Sequence, residues 1–201
     1  MQDRDLRIQD YISIGYIYLL LLGIIRESIY YGFMGVNIMS YSHIMDVLLG
    51  PVAYLTSNPI LSLIFLVLLY WVIIQPRFHR KNREKKWYKR LFNVEKRDQI
   101  YKEKSLIPGE LPLLAFGIAS LLLGTGIGSG YNLNKRIQSA ELDIRDKITF
   151  VDGKSEEVRI IGQNSTYLFY VLEGQKQVSI SPISGVVKRI EEKVVLGETE
   201  E

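Results

Sequence analysis

Long stretches without charge alternate along this chain with short stretches dense in it. Residues 11–25 (YISIGYIYLLLLGII) form an uncharged run of 15. As a helix it rises about 22 Å, short of the roughly 30 Å hydrocarbon core of a bilayer. A membrane span is therefore predicted to run past Arg26 and Glu27, over about 11–31, with Tyr11, Tyr16 and Tyr18 near one interface and Tyr30 and Tyr31 near the other. Residues 32–42 read as a loop. Residues 47–75 then carry no charge over 29 positions, about 43 Å of helix and too long for one perpendicular span. Gly50-Pro51 and Asn58-Pro59 divide the run into a short apolar helix over about 43–57 and a span over about 59–75, which Pro76 ends. Residues 111–134 are a third uncharged run, of 24, and predict a span over about 111–130 that loosens at Gly124–Gly130.

Polar residues over 131–146 suggest a stalk. From Lys147 the period changes to two: KITFV, EVRIIG, TYLFYVLE, QVSIS and GVVKRI read as five short strands, with tight turns at Asp152-Gly153 and Glu173-Gly174. The expected architecture is a helical membrane region over 1–130 with three spans, or four if the short helix joins residues 35–42 to cross. A small water-soluble all-β domain over 147–194 follows, a five-stranded barrel of the SH3 or Sm type, and a disordered tail over 195–201.

Charge adds orientation. Between Arg77 and Lys104 there are twelve Lys/Arg against four Asp/Glu, whereas the whole 201-residue chain carries only +3. A basic loop between spans belongs in the cytoplasm. Segment 77–104 is therefore expected to be cytoplasmic and the C-terminal domain extracytoplasmic. The N-terminus is cytoplasmic with three spans and outside with four. The start, MQDRDLRIQD, lacks the basic opening and small-residue cleavage site of a secretory signal, so the first span reads as a retained anchor.

Candidate chemistry is sparse. The chain has no cysteine and two histidines, His43 and His79, in unlike surroundings, which argues against thiol chemistry, zinc sites and a Ser-His-Asp triad. No cofactor, metal or enzymatic activity is expected. GTGIGSG lacks the third glycine and the Lys-Ser/Thr of phosphate-binding loops. Its small residues read instead as a helix-packing surface, with Ser120, Gly124 and Gly128 repeating every four positions and open to self-association through 111–130. Arg77, Arg80, Lys81, Arg83, Lys85, Lys86, Trp87, Lys89 and Arg90 suit anionic lipid headgroups, each basic residue attracted by about 1 kcal/mol near the surface. Trp87, Leu91 and Val94 form an apolar stripe there, beside Tyr88 and Phe92. Nucleic acid is not expected as a partner. Arg26, Glu27 and Asp46 are candidate intramembrane polar groups, lining an ion path or touching a partner. The plainer alternative has Arg26 snorkelling to the interface and Asp46 capping a helix. Asn164-Ser165-Thr166 is a formal glycosylation sequon, for which a turn role of Asn164 is sufficient.

Tyr30, Tyr31, Gly35, Val36, Ile38, Tyr41 and Asp46, within YYGFMGVNIMSYSHIMDVLL, resemble a segment of uncharacterised small bacterial multi-span membrane proteins, where Tyr-Tyr follows the first span. That resemblance implies a bacterial cytoplasmic membrane and no particular activity. A glycine- and alanine-rich span followed by a β domain with Val178, Ile180 and Pro182 is similar in layout to small-conductance mechanosensitive channels, which implies a pore-lining helix. Two roles follow as expectations: a non-enzymatic anchor presenting a β domain to a protein partner, or an oligomeric channel or membrane-perturbing effector.

Overall fold

The structure is a computed structural model, and it describes residues 8–95, 97–98 and 111–192. The tail 195–201 and the end of the basic segment, 99–104, lie outside the described residues. The chain divides into two compact units, Met1–Gly23 with Gly50–Gly124, and Ile24–Leu49 with Thr125–Glu201. An N-terminal helical part with apolar helices precedes a C-terminal five-stranded antiparallel sheet.

Among the described residues the helices include α1 (Ile8–Gly32), α2 (Ile44–Ser57), α3 (Pro59–Asn82), α4 (Lys86–Leu91) and α5 (Leu111–Gln138), with a 3-10 turn at Ile38–Ser40. α1 and α5 measure about 37 Å and 42 Å at 1.5 Å per residue. Asn58 is extended between α2 and α3, and Pro59 starts α3, where its missing N–H costs nothing. α3 does not stop at Pro76 but runs on to Asn82. Gln75, His79 and Asn82 fall on one face of that extension and are buried. The burial and bonding of this polar face stabilise the turns beyond the proline.

In the first unit, Leu22 of α1 packs with Ile118 and Leu122 of α5, and Tyr54, Leu55 and Phe65 of α2 and α3 join the cluster. The Tyr18 hydroxyl donates to the Ala115 carbonyl and the Ser62 hydroxyl to the Leu55 carbonyl.

In the second unit, α5 ends in a Schellman motif. The Glu141 N–H reaches the Arg136 carbonyl (3.1 Å) and the Ala140 N–H the Ile137 carbonyl (3.2 Å), with Ala140 at φ 57°. Residues 139–145, which form neither helix nor strand, lead into strand β1 (Asp146–Phe150), then β2 (Ser155–Gln163), β3 (Tyr167–Leu172), β4 (Ser179–Pro182) and β5 (Val187–Glu192). Gly153 (φ 88°) and Gly174 (φ 74°) supply the left-handed positions of two of the turns.

The sheet order is β4-β3-β2-β1-β5, all antiparallel, and this corrects the expected barrel. Five strands form, but β4 and β5 are edges and do not pair. β4 has four residues and ends in Pro182, and β5 carries Lys188, Arg189, Glu191 and Glu192; short length, proline and charge are devices that leave an edge unpaired. One face packs Ile148, Val158, Leu168 and Tyr170 with Phe150, Ile190 and Val187. A bulge between Ile160 and Gly162 disturbs the β2–β3 ladder, and the Asp146 carboxylate accepts the Ile160 N–H (2.8 Å).

Candidate functional site

The other face of the sheet is not solvated. Four consecutive residues of β3, from Leu168 to Val171, are buried, which requires cover on both sides. Phe169 is fully buried in a cluster with Tyr31, Val36 and Ile38 from the end of α1 and the turn after it. Its ring centroid lies 5.0 Å from that of Tyr31 and 6.1 Å from that of Tyr41, and Tyr41 meets Tyr167 edge-on at 5.4 Å. Such pairs contribute about 0.5–1.5 kcal/mol each beyond area burial.

Polar bonds fix the register of this seam. The Tyr30 hydroxyl donates to the Ile161 carbonyl (3.1 Å). The Asn164 side-chain amide donates to the Tyr41 carbonyl (2.9 Å), while its oxygen accepts the Thr166 and Tyr167 N–H groups (3.0 and 2.7 Å). Asn164 thus shapes the β2–β3 turn and ties it to the helical segment. Asp46, in the first turn of α2, accepts the His43 N–H (2.9 Å), the Ser165 N–H (3.1 Å) and the Ser165 hydroxyl (3.0 Å). Desolvation alone would push the Asp46 carboxyl up; the hydrogen bonds from His43 and Ser165 outweigh it and hold the group below its ordinary value. Gly35 (φ 74°) turns the chain back, so that Val36 and Ile38 return beneath the sheet. Gly162 lies directly on the Tyr31 hydroxyl and leaves no room for a Cβ. Tyr30, Tyr31, Gly35, Val36, Ile38, Tyr41 and Asp46 therefore all build the helical side of one seam. The signal in the sequence was β3 itself, YLFYVL, whose unbroken apolar run fits a strand covered on both faces.

The close approach of α5 to α1 uses a different face from the one read in the sequence. Gly126 faces Arg26, where a Cβ would lie 3.1 Å from the Arg26 carbonyl oxygen, and Gly130 faces Tyr30, where one would lie 2.9 Å from the Tyr30 carbonyl oxygen. Ser120, Gly124 and Gly128 are exposed, and Gly124 and Gly128 meet nothing within 4 Å. A two-residue offset is about 200° on a helix, so the two small-residue rows lie on nearly opposite faces.

Arg26 does not extend outward. It is 7% exposed, pairs with Glu27, and places its guanidinium 5.7 Å from the Tyr30 ring centroid. In the basic segment, Arg77, Arg80, Lys81, Arg83, Lys85, Lys86, Trp87, Lys89 and Arg90 are all exposed. They surround a buried polar relay in the first unit. The Tyr88 hydroxyl lies 3.1 Å from His79 Nδ1 and accepts from Arg97 Nη1 (2.9 Å), and His79 Nε2 lies 2.8 Å from Asp98 Oδ1. With Tyr88 donating to His79 Nδ1 and His79 Nε2 to Asp98, the hydroxyl proton and the imidazole proton each have an acceptor. Trp87 and Leu91 of the expected stripe face outward, while Tyr88 is fully buried and Phe92 half-buried beside it.

Among known proteins, no family model, curated protein or solved structure matches this chain.

Proposed function

We propose that the protein is an integral membrane protein of a bacterial cytoplasmic membrane, a non-enzymatic assembly module that holds a small β sheet in fixed register on its own helices for a protein partner. The observation that carries this reading is the exposure of its two longest apolar helices. Ile12–Gly32 and Pro112–Gln138 are long and apolar enough to cross a membrane, yet only 17% and 22% of their apolar windows are buried within the protein. A core helix of a water-soluble protein is mostly buried. Here Ile12, Ile17, Leu21, Leu113 and Phe116 are all exposed, apolar area that lipid accommodates better than water.

In this reading α1 and α5 cross the bilayer and α3 supplies a third span over about 59–75, the uncharged part of the helix, with α2 at the interface. The basic segment lies against the cytoplasmic leaflet, with exposed cations toward anionic headgroups and exposed Trp87 and Leu91 toward the acyl boundary. The sheet stands on the opposite side. Its blunted edges favour a partner bound through side chains over one that adds a strand.

Alkaline carbonate washing tests the first half of the proposal: the protein is expected to stay in the membrane pellet, and quantitative release would refute it. Affinity capture tests the second. Full-length protein is expected to recover a partner that a chain ending at Gln138 does not, and equal recovery by both would remove the sheet's role. A second reading, an oligomeric channel or membrane-perturbing effector built through α5, is favoured by the outward row of Ser120, Gly124 and Gly128. Gly124→Leu with Gly128→Leu is expected to abolish ion flux in reconstituted vesicles under this reading; absence of flux from a verified wild-type oligomer would refute it.

A further inference from the structure

Three polar residues of α5 recur on one helix face, Ser129, Asn132 and Arg136, at steps of three and four. They line a cavity of about 300 Å³ whose opposite wall is β2, from which Arg159 enters. Leu133, Ile160 and Ile161 give it an apolar floor, and Tyr30 borders it with its hydroxyl already committed to the Ile161 carbonyl. All of these groups belong to the second unit.

The charge of the cavity is unbalanced. Neither the Arg136 nor the Arg159 guanidinium makes a hydrogen bond or an ion pair with a described residue, and the side chains of Ser129 and Asn132 make no hydrogen bond with one either. The carboxylate that feels both arginines is Asp143, and its direct partner is a third arginine, Arg145, whose hydrogen bond holds it below the ordinary carboxylate value. Glu157, two residues before Arg159 on the same strand, is matched across the ladder by Lys147. Among the described residues, two arginines and no carboxylate line the concavity. Arg136 gains from the C-terminal end of α5, where a cation is favoured. Arg159 has no such reason to face it.

We propose that this cavity binds a phosphate-bearing anion, either a phospholipid headgroup or a soluble phosphate ester. Arg136 and Arg159 supply charge-assisted, fork-shaped donors from two elements, and Asn132 and Ser129 add neutral donors at the spacing of one helix face. The apolar floor suits the glycerol and upper acyl portion of a lipid, and the cavity lies where two helices read as spans end. The lipid source rests on the membrane reading; the phosphate chemistry does not.

The test uses full-length protein in detergent. Native mass spectrometry measures adducts with phosphatidylglycerol and with phosphatidylcholine at equal concentration, and a thermal-shift titration measures glycerol 3-phosphate. Phosphatidylglycerol is expected to bind in preference to phosphatidylcholine. Arg136→Gln and Arg159→Gln are each expected to weaken it about tenfold, and the double variant about a hundredfold. Lys154→Gln, at the exposed turn between β1 and β2, should leave the preference unchanged. If glycerol 3-phosphate stabilises the wild type but not the double variant, without any lipid preference, the ligand is a soluble ester. A double variant that binds both probes like the wild type overturns the proposal, as does a wild type that binds neither. Release of the protein by carbonate would remove the membrane reading and leave the glycerol 3-phosphate measurement standing.

Discussion

Replacing Gly130 by alanine adds one methyl group where α5 meets α1. The added Cβ would lie 2.8 Å from Phe33 Cδ2, 2.9 Å from the Tyr30 carbonyl oxygen and 3.1 Å from Tyr30 Cα. The Phe33 ring can rotate away, but the Tyr30 backbone can withdraw only if α1 moves. Ordinary contact begins at 3.4 Å, so the helices must separate by roughly 0.5 Å at this point. Overpacking of that kind costs about 1–3 kcal/mol. Gly128→Ala adds the same methyl group two residues away and meets nothing within 4 Å. Its only effect is a gain in helix propensity of up to about 1 kcal/mol. Thermal unfolding of the detergent-solubilised protein, followed by circular dichroism, compares the two. At about 2–4 °C per kcal/mol for a chain of this size, Gly130→Ala should lower Tm by about 2–12 °C and Gly128→Ala should not lower it. Equal Tm values, or a fall confined to Gly128→Ala, would refute the assignment of the crossing to the Gly126–Gly130 face.

Three further outcomes follow from the second unit. Ala140→Gly places glycine at the left-handed position of the Schellman motif and should stabilise the protein by about 0.5–1 kcal/mol, read as a small rise in Tm. Gly162→Ala drives a methyl into the Tyr31 hydroxyl and should destabilise by about 1–3 kcal/mol; Tyr31→Phe in the same chain should restore most of the loss, and strict additivity of the two changes would disprove the contact. Asp46 has a folded value below its unfolded value of about 3.9. Its contribution is therefore complete above that value and is lost as pH falls through the lower folded value. Hydrogen exchange at the Ser165 amide should accelerate in that acid window in the wild type, and should already be fast at neutral pH in Asp46→Asn.

Much of the helical part was legible because charge and proline mark it plainly. The uncharged runs and Asn58-Pro59 are local signals, and local signals survive folding. Alternation from Lys147 onward likewise reads as short strands. What was not legible depends on pairing. Whether β5 meets β4 is decided by an edge-to-edge contact that no window of sequence contains, and the barrel expected there is an open sheet. The glycine row that carries the helix crossing differs from its neighbour by two residues, and periodicity alone ranks both equally. Pro76 reads as a helix end because the bonds that extend α3 past it come from Tyr88, Arg97 and Asp98, on a segment that follows. Asp46 reads as a helix cap, and its second partner, Ser165, is 119 residues away.

Because β3 is wrapped from both sides, the order of synthesis matters. Tyr31, Val36 and Ile38 leave the ribosome more than a hundred residues before Phe169, so the greasy cradle is already waiting when the last strands emerge. A fragment carrying only residues 139–192 would instead show water a patch built from Phe169, Tyr167, Ile161 and Ile180, and would clump rather than disperse. The C-terminal region is thus a passenger that matures on its own carrier.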